Sequence, residues 1–383
     1  MKTYTDINVV VAGTGFIGPV HVEALKRLGV NIIGIMGSSK EKSELARKTL
    51  GLKKAYANFD TILQDDAVHA IHLAVPNILH YKMSKQALLA GKHVLCEKPL
   101  AMTSTESEEL VAIAKKSGLQ AGVCYNIRFY SLNIEARNKV QNGELGKVFS
   151  IIGNYTQDWL LYKTDYNWRI LADQGGLLRA VADIGTHWMD LVTSITGLEI
   201  DSVFADLQTF HPIRKRPKGE VETFSKKINK IETENISVDT EDCGCILIRF
   251  KSGAKGSLWV SQVSAGRKNQ VRYEISGSKS ALAWNSEVPN ELWVGHRDKA
   301  NEILGKNPAL ASDLSKPYMS YPGGHNEGFS DTFKQTFKSF YDAILHGENV
   351  EGVPYPTFAE GHYEIKICEA ILESHKNEKW IKL

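Results

Sequence analysis

Ile7-Asn8-Val9-Val10-Val11-Ala12-Gly13-Thr14-Gly15-Phe16-Ile17-Gly18 is the stretch whose reading decides the fold. Ile7–Ala12 is a short β-branched run, and Phe16–Leu28 has the apolar period of a helix. Between them lies G-x-G-x-x-G. In such a strand–turn–helix, Gly13 permits the tight turn and Gly15 lets the backbone approach a pyrophosphate. Gly18 lets helix and strand pack closely. The phosphates then meet the free N–H groups of the helix start, so Gly13, Gly15, Phe16, Ile17 and Gly18 are the expected dinucleotide-binding turn.

Working outward, strand and helix patterns alternate. Val30–Met36 is apolar, and Glu41–Leu50 is rich in helix formers. Val68–Ala74 reads as a strand, Ile78–Ala90 as a helix and Lys92–Cys96 as a strand. Thr103–Lys116 is a helix with Thr103 and Ser104 as candidate caps, and Leu119–Cys124 is a strand. Strands joined by helices of this length imply right-handed crossovers and a doubly wound parallel sheet. The alternation stops near Tyr125, which gives a first domain over 1–124 and a second over 125–383.

The second part reads differently. Leu177–Thr196 is one long helical segment. Thr240–Val263 reads as two strands around Ser252-Gly253, and Val271–Ser276, Ala281–Trp284 and Glu291–Gly295 are further strands. A run of hairpins predicts a mostly antiparallel sheet in an α+β domain. Cys243–Phe250 is apolar on both alternate sets, so both faces are expected to be covered, one by helices and one by a second subunit. Phe210–Asp239 is charged and reads as a loop excursion. His325–Leu345 and Thr357–His375 are late helices, the second of which is expected to pack back on the first domain.

Composition narrows the function. The 46 Lys and Arg against 44 Asp and Glu leave a net charge of +2, which removes the electrostatic case for nucleic acid or an anionic membrane. The five cysteines are odd in number and dispersed in apolar contexts, unlike a disulfide framework. Cys243 and Cys245 lack the further ligands of a zinc site, and no metal ligands are assigned. The apolar run from Ile7 is too short for a signal peptide, and no stretch reaches the roughly 20 residues of a membrane span. A cytoplasmic protein is expected.

The end of the second strand chooses the dinucleotide. An acid about 20 residues after the glycines would hold the adenosine ribose. Here the sequence is Met36-Gly37-Ser38-Ser39-Lys40-Glu41, with Glu41 already in the next helix. Two hydroxyls and a lysine suit a ribose phosphate, so the choice between NAD and NADP leans toward NADP. The competing reading is that Ser38 and Ser39 only cap the helix.

Two segments carry residues able to do chemistry. Glu97-Lys98-Pro99 follows the Lys92–Cys96 strand, at the carboxyl end where open α/β sheets bind ligands. An ammonium there polarises a carbonyl or favours an alkoxide, and the Lys98–Pro99 bond is a candidate for the cis form. In Asp183-Ile184-Gly185-Thr186-His187-Trp188-Met189-Asp190, helical spacing puts Asp183, His187 and Asp190 on one face. His187 is a proton acceptor, Asp183 can bind a hydroxyl, and Gly185 signals close approach by a neighbour. Lesser candidates are Ala74, Pro76, Asn77 and His80 after the Val68–Ala74 strand, then Asn126 and Arg128. Asn167-Trp168-Arg169 and the Gly323-Gly324-His325 turn complete the set.

Taken together, the glycine turn, Glu97-Lys98-Pro99 and the Asp183-to-His187 helix resemble the glucose–fructose oxidoreductase / inositol dehydrogenase / MocA family. The resemblance runs through Asn167-Trp168-Arg169, Thr240-Glu241-Asp242 and Tyr321-Pro322-Gly323-Gly324-His325, which look like a sugar or cyclitol dehydrogenase subgroup. It implies a Rossmann domain, then an α/β domain with a large open sheet through which members often pair as homodimers or homotetramers. It implies Lys98, Asp183 and His187 as catalytic residues and an NAD or NADP cofactor. That cofactor would be held by Gly13, Gly15, Phe16, Ile17, Gly18, Ser38, Ser39, Ala74, Pro76, Asn77, His80, Glu97, Lys98 and Asn126. Substrate would meet Lys98, Trp168, Arg169, Asp183, His187 and His325. The expected reaction moves hydride between the nicotinamide and a secondary hydroxyl or ketone of a sugar, glycoside or cyclitol. Competing expectations are a dinucleotide-binding sensor of the same fold, or a dihydrodiol dehydrogenase or biliverdin-type reductase.

Overall fold

The computed structural model describes residues 3–218, 232–347 and 352–383. The chain forms two compact units: Met1–Asn126 with Phe329–Ile365, and Ile127–Gly328 with Lys366–Leu383.

The first unit contains β1 (Asn8–Ala12), α1 (Ile17–Leu28), β2 (Asn31–Met36), α2 (Lys40–Leu50), β3 (Lys54–Ala55) and α3 (Phe59–Leu63). These are followed by β4 (Ala70–Leu73), α4 (His80–Leu89), β5 (His93–Cys96), α5 (Ser104–Ser117) and β6 (Ala121–Val123). The strands form one parallel sheet in the order β3-β2-β1-β4-β5-β6. Val9, Val10 and Val11 are all fully buried, as strands covered by helices on both faces require. Thr103 caps α5, its side chain accepting from the Glu106 N–H at 3.2 Å.

The second unit opens with α6 (Ser131–Gln141), β7 (Val148–Thr156) and α7 (Ala172–Gly175). A π-helical turn over Val181–Gly185 runs into α8 (Thr186–Thr196). Then come β8 (Ile200–Gln208), β9 (Ile213–Pro217), β10 (Thr233–Ser237), β11 (Cys243–Phe250) and β12 (Lys255–Ser261). β13 (Gln270–Gly277), β14 (Ala281–Asn285), β15 (Glu291–Gly295) and β16 (Glu302–Gly305) complete the run. Two late helices, α9 (Phe329–His346) and α10 (Phe358–Asn377), precede β17 (Ile381–Lys382). α9 belongs to the first unit, and the residues of α10 are divided between the two at Ile365 and Lys366.

Among the described residues the large sheet has nine strands in the order β16-β15-β14-β13-β7-β12-β11-β8-β17. β7 and β12 pair in parallel and the remaining neighbours are antiparallel. Trp188 of α8 is buried on this sheet, its indole N–H donating to the Arg272 carbonyl at 2.9 Å.

Several sequence expectations change here. The helix expected over Leu177–Thr196 begins later, and its first turn is wound as a π-helix. Phe210–Asp239 is not all loop: β9 and β10 pair antiparallel from Ile213 to Ser237, and residues 219–231 of that expectation lie outside the described residues. β7, β8, β16 and β17 lacked a clear strand signature. In β11 one face is buried, while Cys245, Leu247 and Arg249 are exposed within the single chain. Leu247, Ile152 of β7 and Trp259 of β12 leave that face of the sheet apolar and open.

The first unit draws part of its core from far along the chain. Phe333, Phe337, Phe340 and Tyr341 recur at helical spacing on α9 and are buried with Val9, Val11, Val22 and Leu25. Each such ring contributes about 1.5–3 kcal/mol by its burial.

Candidate active site

The predicted site residues fall on both units. In the first, Gly13 has φ +127°, and a Cβ there would lie 2.0 Å from the Ala74 carbonyl oxygen. Ala74 is therefore the wall against which the turn closes. At Gly18 a Cβ would lie 2.1 Å from the Gly13 oxygen, whereas at Gly15 it would meet nothing within 4 Å. The first and third glycines are demanded by the protein's own packing. Gly15 faces open space, next to exposed Phe16 and half-buried Ile17 at the start of α1, whose first turn carries no acid. Open space at Gly15 and the positive end of the helix dipole fit the pyrophosphate of a dinucleotide.

At the end of β2, Ser38 is exposed. Ser39 caps α2, its hydroxyl accepting from the Lys42 N–H at 3.2 Å. A hydrogen bond from Ser39 draws the Glu41 carboxyl below its usual range. The capping reading thus holds for Ser39.

After β4, Pro76 precedes a short 3₁₀ turn over Asn77–Leu79. Asn77 is nearly buried. His80 is fully buried, with Nδ1 2.6 Å from the Pro99 oxygen and Nε2 2.9 Å from the Val75 oxygen. It is a clamp between the β4 and β5 loops, with both ring nitrogens at those carbonyls. Burial lowers its pKa, with the two carbonyls opposing.

Lys98 follows β5 and is half-buried, and the Lys98–Pro99 bond is cis. Behind it lies a buried chain that no local sequence signal announces. Tyr341 Oη is 2.8 Å from His72 Nε2, His72 Nδ1 is 2.9 Å from His21 Nδ1, and His21 Nε2 is 2.9 Å from Glu97 Oε1. Glu97 also accepts the Lys98 N–H at 3.3 Å. Burial would raise the Glu97 carboxyl, but the His21 hydrogen bond and nearby positive charge hold it at about 2. His21, Glu97 and Cys124 offer ligand-type atoms within 4.8 Å of one another. The carboxylate is already committed to His21 and the Lys98 N–H, which accounts for the cluster without an ion. Asn126 is buried and donates to Thr332 Oγ1 of α9 at 2.7 Å.

In the second unit, Asp183 sits in the π-helical turn. Its Oδ2 accepts from Gln262 Nε2 at 2.7 Å, and its Oδ1 lies 3.5 Å from Arg169 Nε. Arg169 stacks over Trp168, with its guanidinium carbon 4.5 Å from the ring centroid, and Asn167 caps their short turn. Four residues after Asp183, His187 is nearly buried and its ring centre lies 6.3 Å from that of Tyr155. Gly185 explains itself through packing, since a Cβ would sit 3.3 Å from Val260 of β12. π-turns of this kind cluster at functional sites because they re-aim side chains within a helix.

Asp190 does not join this set. Arg128 grips it through Nε at 3.0 Å and through Nη2, and both side chains are almost fully buried. The expected common face of Asp183, His187 and Asp190 is broken by the π-turn and by this ion pair. His325 is exposed in its turn, with Nδ1 3.3 Å from the Gly323 carbonyl oxygen. Lys306 and Glu327 pair at 2.8 Å beneath that turn. Sequence reasoning missed Gln262. Its signal was period two: Leu258, Val260 and Gln262 fall on one buried face, so a polar residue there needed a partner.

Residues 7–125 match the profile of the GFO/IDH/MocA oxidoreductase family's NAD-binding Rossmann fold, and residues 137–383 match that family's C-terminal alpha/beta domain. The chain belongs to the GFO/IDH/MocA family. It is therefore an oxidoreductase with an NAD-binding Rossmann domain. Family relatives include levoglucosan dehydrogenase of Pseudarthrobacter phenanthrenivorans, 28% identical over 98% of both chains. Myo-inositol 2-dehydrogenase of Thermotoga maritima is 26% identical over 97% of both. Glucose-6-phosphate 3-dehydrogenase of Bacillus subtilis is 26% identical over 96% of both. Among solved family structures, levoglucosan dehydrogenase with NADH and L-sorbose superposes with a TM-score of 0.87 at 28% identity, covering 98% of both chains. Its apo form gives 0.90 at 27%, again over 98% of both.

Proposed function

We propose that this oxidoreductase oxidises a secondary ring hydroxyl of an uncharged cyclic polyol, a pyranose or glycoside, with NAD as acceptor. The observation that carries the reading is the Asp183 carboxylate, aimed by Gln262 at 2.7 Å and flanked by Arg169 at 3.5 Å, one turn before His187. Such a group accepts a hydrogen bond from a substrate hydroxyl. His187 takes the proton of the reacting hydroxyl, and Lys98 donates to the developing alkoxide. The bound dinucleotide would accept the hydride. Trp168 and Arg169 offer an apolar face and a donor to a sugar ring. Sugar and cyclitol dehydrogenases among the relatives support the same class.

The lean toward NADP finds no support. Ser39 is used as a cap, and the Glu41 carboxylate hydrogen-bonds to it, so a negative charge stands beside the hydroxyls that a 2′-phosphate would need. A solved relative carries NADH. Homo-oligomers through the open sheet face fit the exposed Ile152, Leu247 and Trp259. Five free cysteines fit a reducing compartment, so the cytoplasm is the location in this reading.

The test is a panel of levoglucosan, myo-inositol, glucose and glucose 6-phosphate, assayed by nicotinamide absorbance with NAD and NADP. A ring polyol and NAD should give the highest kcat/KM. On that substrate His187→Ala should lower kcat by roughly 10²–10⁴-fold while NADH still binds. Even activity over acyclic and apolar alcohols, or near-normal turnover by the variant, refutes the reading.

A further inference from the structure

Thr240-Glu241-Asp242 stands out in the sequence, and the reaction just described gives it nothing to do. All three residues are buried, at 1%, 4% and 0% exposure, just before β11. Two carboxylates are costly to bury unless every oxygen is engaged. Here they are. Asp242 Oδ1 meets the guanidinium groups of Arg179 and Arg214, the latter at 2.7 Å, and its Oδ2 accepts the Phe210 and His211 N–H groups. Arg179 is also bonded to the Glu241 carbonyl at 3.1 Å. Every carboxylate oxygen of the pair is engaged within the protein, so the two acids act as a scaffold.

What the scaffold holds is specific. Thr240 Oγ1 donates to the Ile170 carbonyl at 3.1 Å and so fixes the turn that displays Arg169. The Asp242 carbonyl accepts the Gln262 N–H at 3.0 Å, fixing the residue that donates to Asp183. Glu241 accepts the Arg179 N–H at 2.9 Å and the Val181 N–H at 2.8 Å. Those N–H groups belong to the start of the helical segment, where no earlier turn supplies acceptors. The three anchors converge on the surroundings of a single carboxylate.

We propose that Glu241 is a positioning residue for Asp183: its carboxylate closes the N–H end of the π-helical turn and thereby sets where Asp183 meets the substrate hydroxyl. The inference rests on the reading of Asp183 given above. Burial pushes the Glu241 carboxyl up to about 7, against the pull of the Val181 and Arg179 N–H groups and the Arg179 charge. The other groups around it are Asp242, held ionised by Arg179 and Arg214, and Cys243, whose thiol burial pushes to about 11. Glu241 is thus the member of this group that titrates near neutrality. Above that range its full charge serves the two N–H donors, and below it the turn loosens.

The experiment compares Glu241→Gln and Glu241→Ala in the full chain, each alone and with Asp183→Asn, using the best sugar of the panel. Glu241→Gln keeps the shape and one acceptor, so it reports if Glu241→Ala fails to fold. Glu241→Gln should raise KM roughly 10-fold with a smaller change in kcat, and flatten the rise of KM toward acid pH. NADH fluorescence titration should be unchanged, and amide exchange over residues 179–186 should accelerate. In the Asp183→Asn background the substitution should add nothing to KM. Unchanged KM and exchange in folded Glu241→Gln overturns the inference. So does an equal penalty with and without Asp183, which marks a general structural role. An Asp183→Asn enzyme with normal KM fails differently: it removes the hydroxyl-binding role of Asp183 itself, whatever the exchange shows.

Discussion

Asp190→Ala is the substitution that most sharply separates the structure from a reading of helical spacing. Spacing makes Asp190 a partner of Asp183 and His187 on a substrate face. The structure instead seals it against Arg128, with side-chain exposures of 2% and 3%. Removing the carboxylate leaves a buried guanidinium without its counter-charge. Breaking a buried pair in this way costs about 3–5 kcal/mol, most of it desolvation of the charge left behind. For a unit of this size 1 kcal/mol moves Tm by about 2–4 °C, so the midpoint should fall by about 6–20 °C. Differential scanning fluorimetry reads the shift, and steady-state kinetics well below the new midpoint should find KM nearly unaltered. The double variant Arg128→Met with Asp190→Leu should recover most of the loss, because no charge is then stranded. Asp190→Ala melting within about 1 °C of the parent while KM rises about tenfold or more would refute this and return Asp190 to the substrate.

The turn glycines should separate by role. Gly13→Ala drives a Cβ into the Ala74 carbonyl and should destabilise the first unit, whereas Gly15→Ala has room to fold and should lose NADH affinity in a fluorescence titration with little change in Tm. Equal Tm losses in the two would contradict the assignment. For Glu97, the folded carboxyl at about 2 lies below the ordinary 4.5, so its contribution is present above 4.5 and is lost as pH falls from there toward 2. Linkage sets it at about 3 kcal/mol. Glu97→Gln should lower Tm at pH 7 and flatten the acid limb, and parallel acid limbs in melts from pH 3 to 7 would count against it.

What the sequence could disclose followed from whether a residue's partner was near it. The phosphate turn was legible because Gly13 and Gly18 are fixed by contacts within one strand–turn–helix. The parallel sheet was legible because its crossovers repeat. Asp190 was misread because Arg128 lies 62 residues earlier, beyond any periodic signal. The π-turn escaped for a related reason: Gly185 yields to Val260 on a distant strand. Ser39 was ambiguous in principle, since the same hydroxyl that caps a helix can meet a phosphate. β7 and β8 escaped notice because polar residues such as Asn154 and Asp206 interrupt their apolar runs, and pairing within a nine-stranded sheet supplies what local pattern does not.

The aromatic face that α9 lends to the first unit has a consequence for how the protein is made. Val9, Val11 and Leu25 leave the ribosome early, but the four rings that complete their core arrive only after Gly328. At roughly 5–20 residues per second, an intervening stretch of roughly 200 residues keeps that surface waiting for about 10–40 s. During translation the dinucleotide-binding unit has all six strands of its sheet but a greasy flank still uncovered. A released fragment ending at Asn126 would carry the whole phosphate turn and still be a client for chaperones. The residues translated first therefore have to wait for a helix near the other end of the chain.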